Sequence, residues 1–429
     1  MAVKIAIIGG GSAYAPGLIS AFLQQADTFR GTEIALMDIA APELDIVQRL
    51  GVKMAAAIGA DIRITATTDQ RTAVAGADYV LTTFRQGGFE ARHQDESVPL
   101  EFGILGQETI GPGGFFFAMR TLPVIQALLA DMQALAPGAV LVNYANPTQI
   151  VAEAVSHFSS VPCISICDQS ADDQRKILGA MDVHPETVEF ESIGLNHATW
   201  STRFVVDGED GVALMNRHCD DILKRQDLSN RLKRQFRLTR EYGRAPNSYL
   251  QYYYYREETF AEALAEPKTR AQVILDELPG YFQHYREQIG AEVPRITRGR
   301  GGSVFGDMAV EVLSSLISHD KRILTLNVAN RGAIPDLAPD RVVELPARVE
   351  RASATPLVQD RLPPDVMGLL HMLAEYQWLA ADAIWNGDRK ALNRALAANP
   401  LVISLQVAER MLDVVLPMQR QYLSARIRG

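Results

Sequence analysis

The sequence predicts an α/β protein whose N-terminal part is a doubly wound parallel sheet, with an α+β part behind it. Three observations carry this. Ile5–Ile8 is a short apolar run that ends on Gly9-Gly10-Gly11-Ser12 and passes into Pro16-Gly17, a helix start. Strand-like and helix-like segments then alternate as far as Cys167. Beyond about residue 170 the alternation stops and helical spacing dominates. Repeated βα units build a parallel sheet with helices on both faces.

The elements follow in order. Ile5–Ile8 reads as a strand, Pro16–Gln25 as a helix, and Glu33–Asp38 as a second strand ending in an acid. Leu44–Ala57 has helical spacing, Asp61–Thr65 alternates like a strand, and Ala77–Thr82 is a further strand. Leu122–Leu135 reads as a long amphipathic helix, Ala139–Tyr144 as a buried strand before Asn146-Pro147, and Gln149–His157 as helix. Cys163–Cys167 closes the series as a strand. In the second part, Glu189–Ile193 and Trp200–Asp207 look like strands, with a turn at Asp207-Gly208. Helices are expected within Leu214–Ile289 and over Val304–Ser318 and Pro364–Trp385, with strands at Ile323–Val328 and Val342–Leu345. The expected division is residues 1–170 and 171–429.

Composition narrows the class. Of 429 residues, 47% are apolar and 22% charged, as in a globular enzyme. The net charge of −9, with no basic cluster longer than Arg298-Gly299-Arg300, argues against nucleic acid as a partner. Three cysteines make no disulfide framework and suit a reducing compartment. The first apolar run is too short for a signal peptide, and no later segment reads as long enough to span a membrane. The expectation is a cytoplasmic enzyme with no membrane partner.

Ligands of a doubly wound sheet sit beyond the carboxyl ends of its strands, where Asp38, Arg85, Asn146 and Cys167 fall. Gly9, Gly11 and Ser12 form the turn that lets backbone approach a pyrophosphate at a helix N-terminus. Asp38 suits a ribose diol and favours NAD over NADP. The turn departs from G-x-G-x-x-G, because Tyr14 stands where the last glycine belongs, so looser packing of the first helix is expected. Cys167 and His197 lie thirty residues apart, which is no zinc-finger spacing. A buried cysteine and a structural histidine are the ordinary alternatives. Tyr249, before the run Tyr252–Tyr255, has a core aromatic face as its ordinary reading; Asp168 has a helix cap, and Arg92 and Arg270 have surface ion pairs.

Taken as a set, the following blocks resemble glycoside hydrolase family 4, the NAD- and metal-dependent glycosidases. They are Ile8–Ser12, Arg85–Gly88, Arg92 with Asp95–Leu100, Gly106–Gly114, Asn143–Pro147, Ile166-Cys167-Asp168, Gly194–His197, Asn247–Leu250, Asn327–Asn330, Gly387-Asp388 and Asn399–Val402. The Asn-Pro block is shared with lactate and malate dehydrogenases, whose fold the family resembles. The resemblance implies NAD as cofactor, with Gly9, Gly11, Ser12, Asp38 and Arg85 around it. It implies Mn²⁺ or another divalent cation on Cys167 and His197, with open positions for a substrate diol. Tyr249 matches the base that removes the C2 proton after hydride transfer from C3, and Asp168 the acid for the leaving oxygen. Arg92, Asn146 and Arg270 match positions that hold the sugar and its anionic 6-substituent. Cys-Asp is the pairing of members that cleave α-linked 6-phosphoglucosides, so that substrate is favoured. The family's Met-Pro after it is replaced by Gln169-Ser170, which leaves a related NAD-dependent sulfoquinovosidase as the close alternative. A 2-hydroxyacid dehydrogenase with His197 as base, and a catalytically silent NAD-binding regulator, are the more distant ones. Family members form dimers or tetramers, which the resemblance extends to this chain.

Overall fold

The computed structural model describes residues 3–300 and 306–428. Its strands are β1 (Lys4–Ile8), β2 (Thr32–Met37), β3 (Ile62–Thr67), β4 (Tyr79–Thr82), β5 (Val140–Asn143) and β6 (Cys163–Ser165). They continue with β7 (Val188–Leu195), β8 (Ala198–Val206), β9 (Glu209–Asp210), β10 (Ile323–Ala329), β11 (Val342–Val349) and β12 (Ala354–Pro356). All join one sheet in the order β3-β2-β1-β4-β5-β6-β10-β11-β7-β8-β9, with β12 paired to β11. β1 to β6 run parallel in the 3-2-1-4-5-6 order of a dinucleotide-binding fold. From β6 onward every pairing is antiparallel, and the junctions are the register pairs Asn327–Ser165 and Glu344–Gly194.

Alternation along β1 sorts the two cores. Ile5 and Ile7 face the helices Ala15–Gln24, Ala41–Ala57 and Asp307–Ser318, while Ala6 and Ile8 face Gly111–Leu135, Thr148–Phe158 and Pro364–Trp385. Each large side chain buried this way contributes about 1.5–3 kcal/mol relative to exposure. The expected looseness at Tyr14 is absent, since Leu18, Ile19 and Phe22 of the first helix are fully buried.

Several expectations need correcting. The helix expected from Leu122 begins at Gly111, because Gly111-Pro112-Gly113-Gly114 is its first turn rather than a loop. The reason is close approach: a Cβ on Gly113 would stand 2.3 Å from the Gln107 carbonyl oxygen. At 25 residues this helix is long and apolar enough to cross a membrane by length and composition, contrary to the sequence expectation. Phe115, Phe116, Phe117 and Met119 are all buried in the core, which gives its apolar character a structural use. The strand expected over Cys163–Cys167 ends at Ser165, so Cys167 stands in the turn beyond it. Gly88–Glu101, read only as motif residues, is a helix, as is Gln169–Ala180. Asp307–Ser318 is helical; the start expected at Val304 lies outside the described residues.

Candidate active site

The glycine turn is held from below. Gly9 and Gly10 N–H groups donate to the Met37 carbonyl at 2.8 Å each. Gly9 has φ +101°, and a Cβ there would lie 2.5 Å from the Phe84 nitrogen, so no other residue fits. Asp38, at the end of β2, accepts from the Gly11 N–H at 2.9 Å and the Ala40 N–H at 3.0 Å. Burial raises its pKa, and those two N–H groups oppose the rise. Each carboxylate oxygen keeps a lone pair for a diol. The Ser12 hydroxyl is buried without a partner, just before the helix Ala15–Gln24. A bare turn, an orphaned hydroxyl and a helix N-terminus fit a dinucleotide diphosphate.

Beside this turn lies a cavity of about 810 Å³, lined among others by Arg92, Glu108, Arg231, Tyr249, Arg270 and Arg300. Arg92 pairs with Glu96 at 2.7 Å and Glu108 at 3.0 Å, and Arg85 pairs with Glu108 at 2.5 Å. Arg85 also stacks on Phe117, 4.6 Å from the ring centre. Burial pushes the Glu108 carboxyl up, but Arg85, Arg92 and Arg300 outweigh it and hold it at about 2. Arg231, Arg270 and Arg300 have no carboxylate ion-pair partner among the described residues, so these guanidiniums stand unpaired in a wall that also carries Glu96, Glu108, Glu262 and Glu266. Burial, with Arg85 and Arg92 nearby, lowers Arg300 to about 10 and leaves it charged at neutral pH.

Cys167 and His197 meet beside Tyr249, and neither lines the large cavity itself. The two-residue turn Asn196–His197 joins β7 to β8 and holds His197 at φ +64°. Its Nε2 is 3.5 Å from Cys167 Sγ, and its Nδ1 is 3.2 Å from Thr109 Oγ1. Burial and Arg231 lower the imidazole to about 3, so the ring is neutral with a nitrogen lone pair to offer. Burial, reinforced by Glu344, pushes the Cys167 thiol up to about 12. Such a thiol ionises at neutral pH only when a cation binds it. No group of three or more His, Cys, Asp or Glu side chains is placed to hold an ion among the described residues. A cation on this pair would therefore keep several positions open.

Tyr249 stacks on His197 with ring centres 4.0 Å apart and a 14° tilt, and the Arg231 guanidinium lies 4.2 Å from its ring centre. Burial raises the phenol, and Arg231 opposes the rise. Its segment is fixed from behind: Asp173 accepts from the Ser248 N–H at 2.8 Å, and Arg231 Nε donates to Ser248 Oγ at 2.8 Å. Asp168 accepts a hydrogen bond from the Tyr144 hydroxyl and does not line the large cavity. Burial, with Asp307 adding to it, raises its carboxyl to about 7. Asn146 also lies off that cavity wall, its Oδ1 accepting from Thr148 Oγ1 at 3.0 Å. Arg92, Tyr249 and Arg270 thus share the large cavity, Cys167 and His197 meet beside Tyr249, and Asp38 stands by the glycine turn, whereas Arg85 is turned onto Glu108 and Phe117. Glu108, Arg231, Arg300 and Glu344 join them without having been expected as site residues. Glu108 falls inside the Gly106–Gly114 block and Arg300 in the basic stretch Arg298-Gly299-Arg300, whereas nothing in the sequence marks Arg231 or Glu344.

A dinucleotide-type sheet with a polar pocket beside its glycine turn defines an enzyme of the Rossmann class. The family 4 glycosyl hydrolase model matches residues 4–182, and the model of that family's C-terminal domain matches 192–402. This chain belongs to family 4 of the glycosyl hydrolases. It is 32% identical to a probable 6-phospho-beta-glucosidase of Bacillus subtilis, over 98% of this chain and 97% of the relative. A 6-phospho-beta-glucosidase from Thermotoga maritima, solved with manganese, NAD⁺ and glucose-6-phosphate, matches with TM-score 0.86 at 26% identity. That match covers 98% of this chain and 99% of the other. A malate dehydrogenase from Plasmodium falciparum shares the fold, with TM-score 0.54 at 12% identity over 89% of this chain and 99% of its own.

Proposed function

We propose that this glycosidase hydrolyses 6-phosphoglucosides, with α-linked substrates favoured, using NAD⁺ and a divalent cation held by Cys167 and His197. The observation that carries the reading is the 3.5 Å approach of Sγ and Nε2 beside Tyr249, which forms part of the wall of the large cavity. NAD⁺ and Mn²⁺, when bound, supply reversible hydride acceptance and Lewis acidity, with no net consumption of either. Gly9, Gly11, Ser12, Asp38 and Arg85 hold the dinucleotide, within a domain of residues 1–170. Residues 171–429 supply His197, Tyr249 and Arg270. Arg92 and Arg270 bind the 6-phosphate, since guanidinium forks match its oxygens, and Asn146 orients the sugar. Tyr249 takes the C2 proton. Asp168, whose carboxyl burial raises and so keeps protonated more readily than an ordinary aspartate, delivers a proton to the leaving oxygen.

Matched relatives are named for both anomers, so the α preference rests on Asp168. Gln169 and Ser170 do not argue for a sulfonate. Gln169 donates to Asp173 and Ser248, and Ser170 donates to Glu344, so both are turned into the protein's own hydrogen bonds.

The test is aglycone release from methyl and p-nitrophenyl α- and β-glucoside 6-phosphates and α-sulfoquinovosides, the methyl series reading the anomer, with Mn²⁺, NAD⁺ and reductant present or omitted singly. Fastest release from the α 6-phosphate, dependent on NAD⁺ without accumulation of NADH, is expected. Preference for the β 6-phosphate would overturn the anomer, and cleavage of the sulfoquinovoside alone would overturn the phosphate.

A second expectation concerns pH. The acid must be protonated, so kcat/KM for an alkyl 6-phosphoglucoside should fall on the alkaline side as Asp168, raised by burial, gives up its proton. Asp168→Asn should lose that limb and about 10²–10³-fold in rate. The nitrophenyl substrate, whose leaving group needs no proton, should change far less. An equal loss on both substrates would remove Asp168 from this role.

A further inference from the structure

We propose that Glu344 is a positioning residue for the cation site, fixing Cys167 and His197 from behind and adding negative charge there. The inference rests on Cys167 and His197 being the cation ligands. Glu344 lies on β11 and is 2% exposed. It has no ion-pair partner among the described residues. A carboxylate taken out of water without a counter-charge is costly, and proteins retain such groups where hydrogen bonds and a local need compensate.

Three hydrogen bonds converge on it from different elements. Ser170 Oγ donates to Oε1 at 2.9 Å, while Asn196 Nδ2 at 2.7 Å and Asn327 Nδ2 at 3.1 Å donate to Oε2. The donors are informative. Asn196 immediately precedes His197 in the β7–β8 turn, and Ser170 stands in the first turn of the helix that follows Cys167. Asn327 lies on β10 opposite Ser165 of β6, and Glu344 lies on the neighbouring β11 opposite Gly194 of β7, so the carboxylate sits on the β10–β11 pair that separates β6 from β7. Cys167 follows β6 and His197 follows β7, so they come from opposite sides of that pair, thirty residues apart in sequence. One carboxylate thus ties both ligand-bearing segments to one point. Gln149 adds to the same clamp, its Oε1 accepting from the Asn196 N–H at 3.1 Å.

The geometry also separates charge from shape. In Glu344→Gln, the amide oxygen can still accept from both asparagines and the amide nitrogen can donate to the Ser170 hydroxyl. The fold ties survive and only the charge is lost. In Ser170→Ala the charge survives and one tie to the Cys167 side is lost.

The experiment is Mn²⁺ titration of the NAD⁺-bound protein, read by the electron paramagnetic resonance signal of free Mn²⁺. Wild type, Glu344→Gln, Ser170→Ala and Cys167→Ser are compared, with the unfolding midpoint of each measured without metal. Outer partners of metal ligands are typically worth 10–100-fold in affinity. Glu344→Gln is expected to weaken Mn²⁺ binding within that range and Ser170→Ala several-fold, with metal-free midpoints close to wild type. Unchanged Mn²⁺ affinity in Glu344→Gln, with loss in Cys167→Ser, would overturn the role of Glu344 alone. Wild-type affinity in Cys167→Ser would overturn the ligand assignment and the inference with it. Should Glu344→Gln fail to fold, Ser170→Ala decides: unchanged affinity there overturns the proposal.

Discussion

Tyr249→Phe is expected to lower kcat by about 10³-fold while leaving the fold and NAD⁺ binding intact. The substitution removes a single oxygen. The ring keeps its stacking on His197, 4.0 Å between centres, and its contact with the Arg231 guanidinium. Positioned general bases contribute about 10²–10⁴-fold, and a phenylalanine has no group to take the C2 proton. Burial raises this phenol above its ordinary range, and Arg231 only partly offsets that. Further positive charge is needed before Tyr249 can act at neutral pH, and the pair Cys167–His197 beside it is where a cation would bring it. Chelator-treated wild type should therefore behave like Tyr249→Phe. The measurement is turnover in D₂O, reading deuterium at C2 of the sugar product. Wild type should incorporate deuterium there, and Tyr249→Phe, over the same interval, almost none. Wild-type rates in Tyr249→Phe would show that another group takes the proton.

The parallel half of the sheet is legible in the sequence because its strands are short apolar runs separated by helical spacing, and Pro364–Trp385 matches at both ends. Gly88–Glu101 escapes such a reading because both its faces are committed. Arg92, Asp95 and Glu96 are buried along with Ala91 and Val98, so no apolar stripe of period 3.6 exists to detect. The first turn of Gly111–Leu135 escapes because glycine and proline usually mark loops. Here the glycines are needed for the backbone of Gln107 to pass close by. At the site, the family resemblance names Cys167, His197 and Tyr249, but their mutual distances come only from the folded chain. Arg231 and Glu344 are invisible in the sequence for another reason. Arg231 lies in a polar helix and Glu344 inside a strand, and only the packing of β11 against β7 and β10 turns the latter into a shared acceptor.

The largest effect on stability is expected at Asp95. Both Asp95 and Arg120 are fully buried, and they form a bidentate pair, Nη1 to Oδ1 at 2.8 Å and Nη2 to Oδ2 at 2.6 Å. Arg120 Nε also donates to the Gln86 carbonyl at 3.1 Å, and Nη1 to Gln419 Oε1 at 2.7 Å. This one cluster joins Gly88–Glu101, which carries Arg92 to the cavity, to Gly111–Leu135 and to the helix Leu405–Gln419. Asp95→Ala leaves the guanidinium buried and unpaired, a loss of about 3–5 kcal/mol. Asp95→Leu with Arg120→Met removes both charges and fills much of the same volume, so its cost should be far smaller. Urea unfolding of the two variants checks this through the midpoint at constant m. Equal destabilisation would mean that the three-helix junction depends on the hydrogen bonds themselves. A much milder double variant would show that the stranded charge does the damage. In that case the double variant should also keep Arg92 placed and retain sugar-phosphate binding, whereas Asp95→Ala should weaken it.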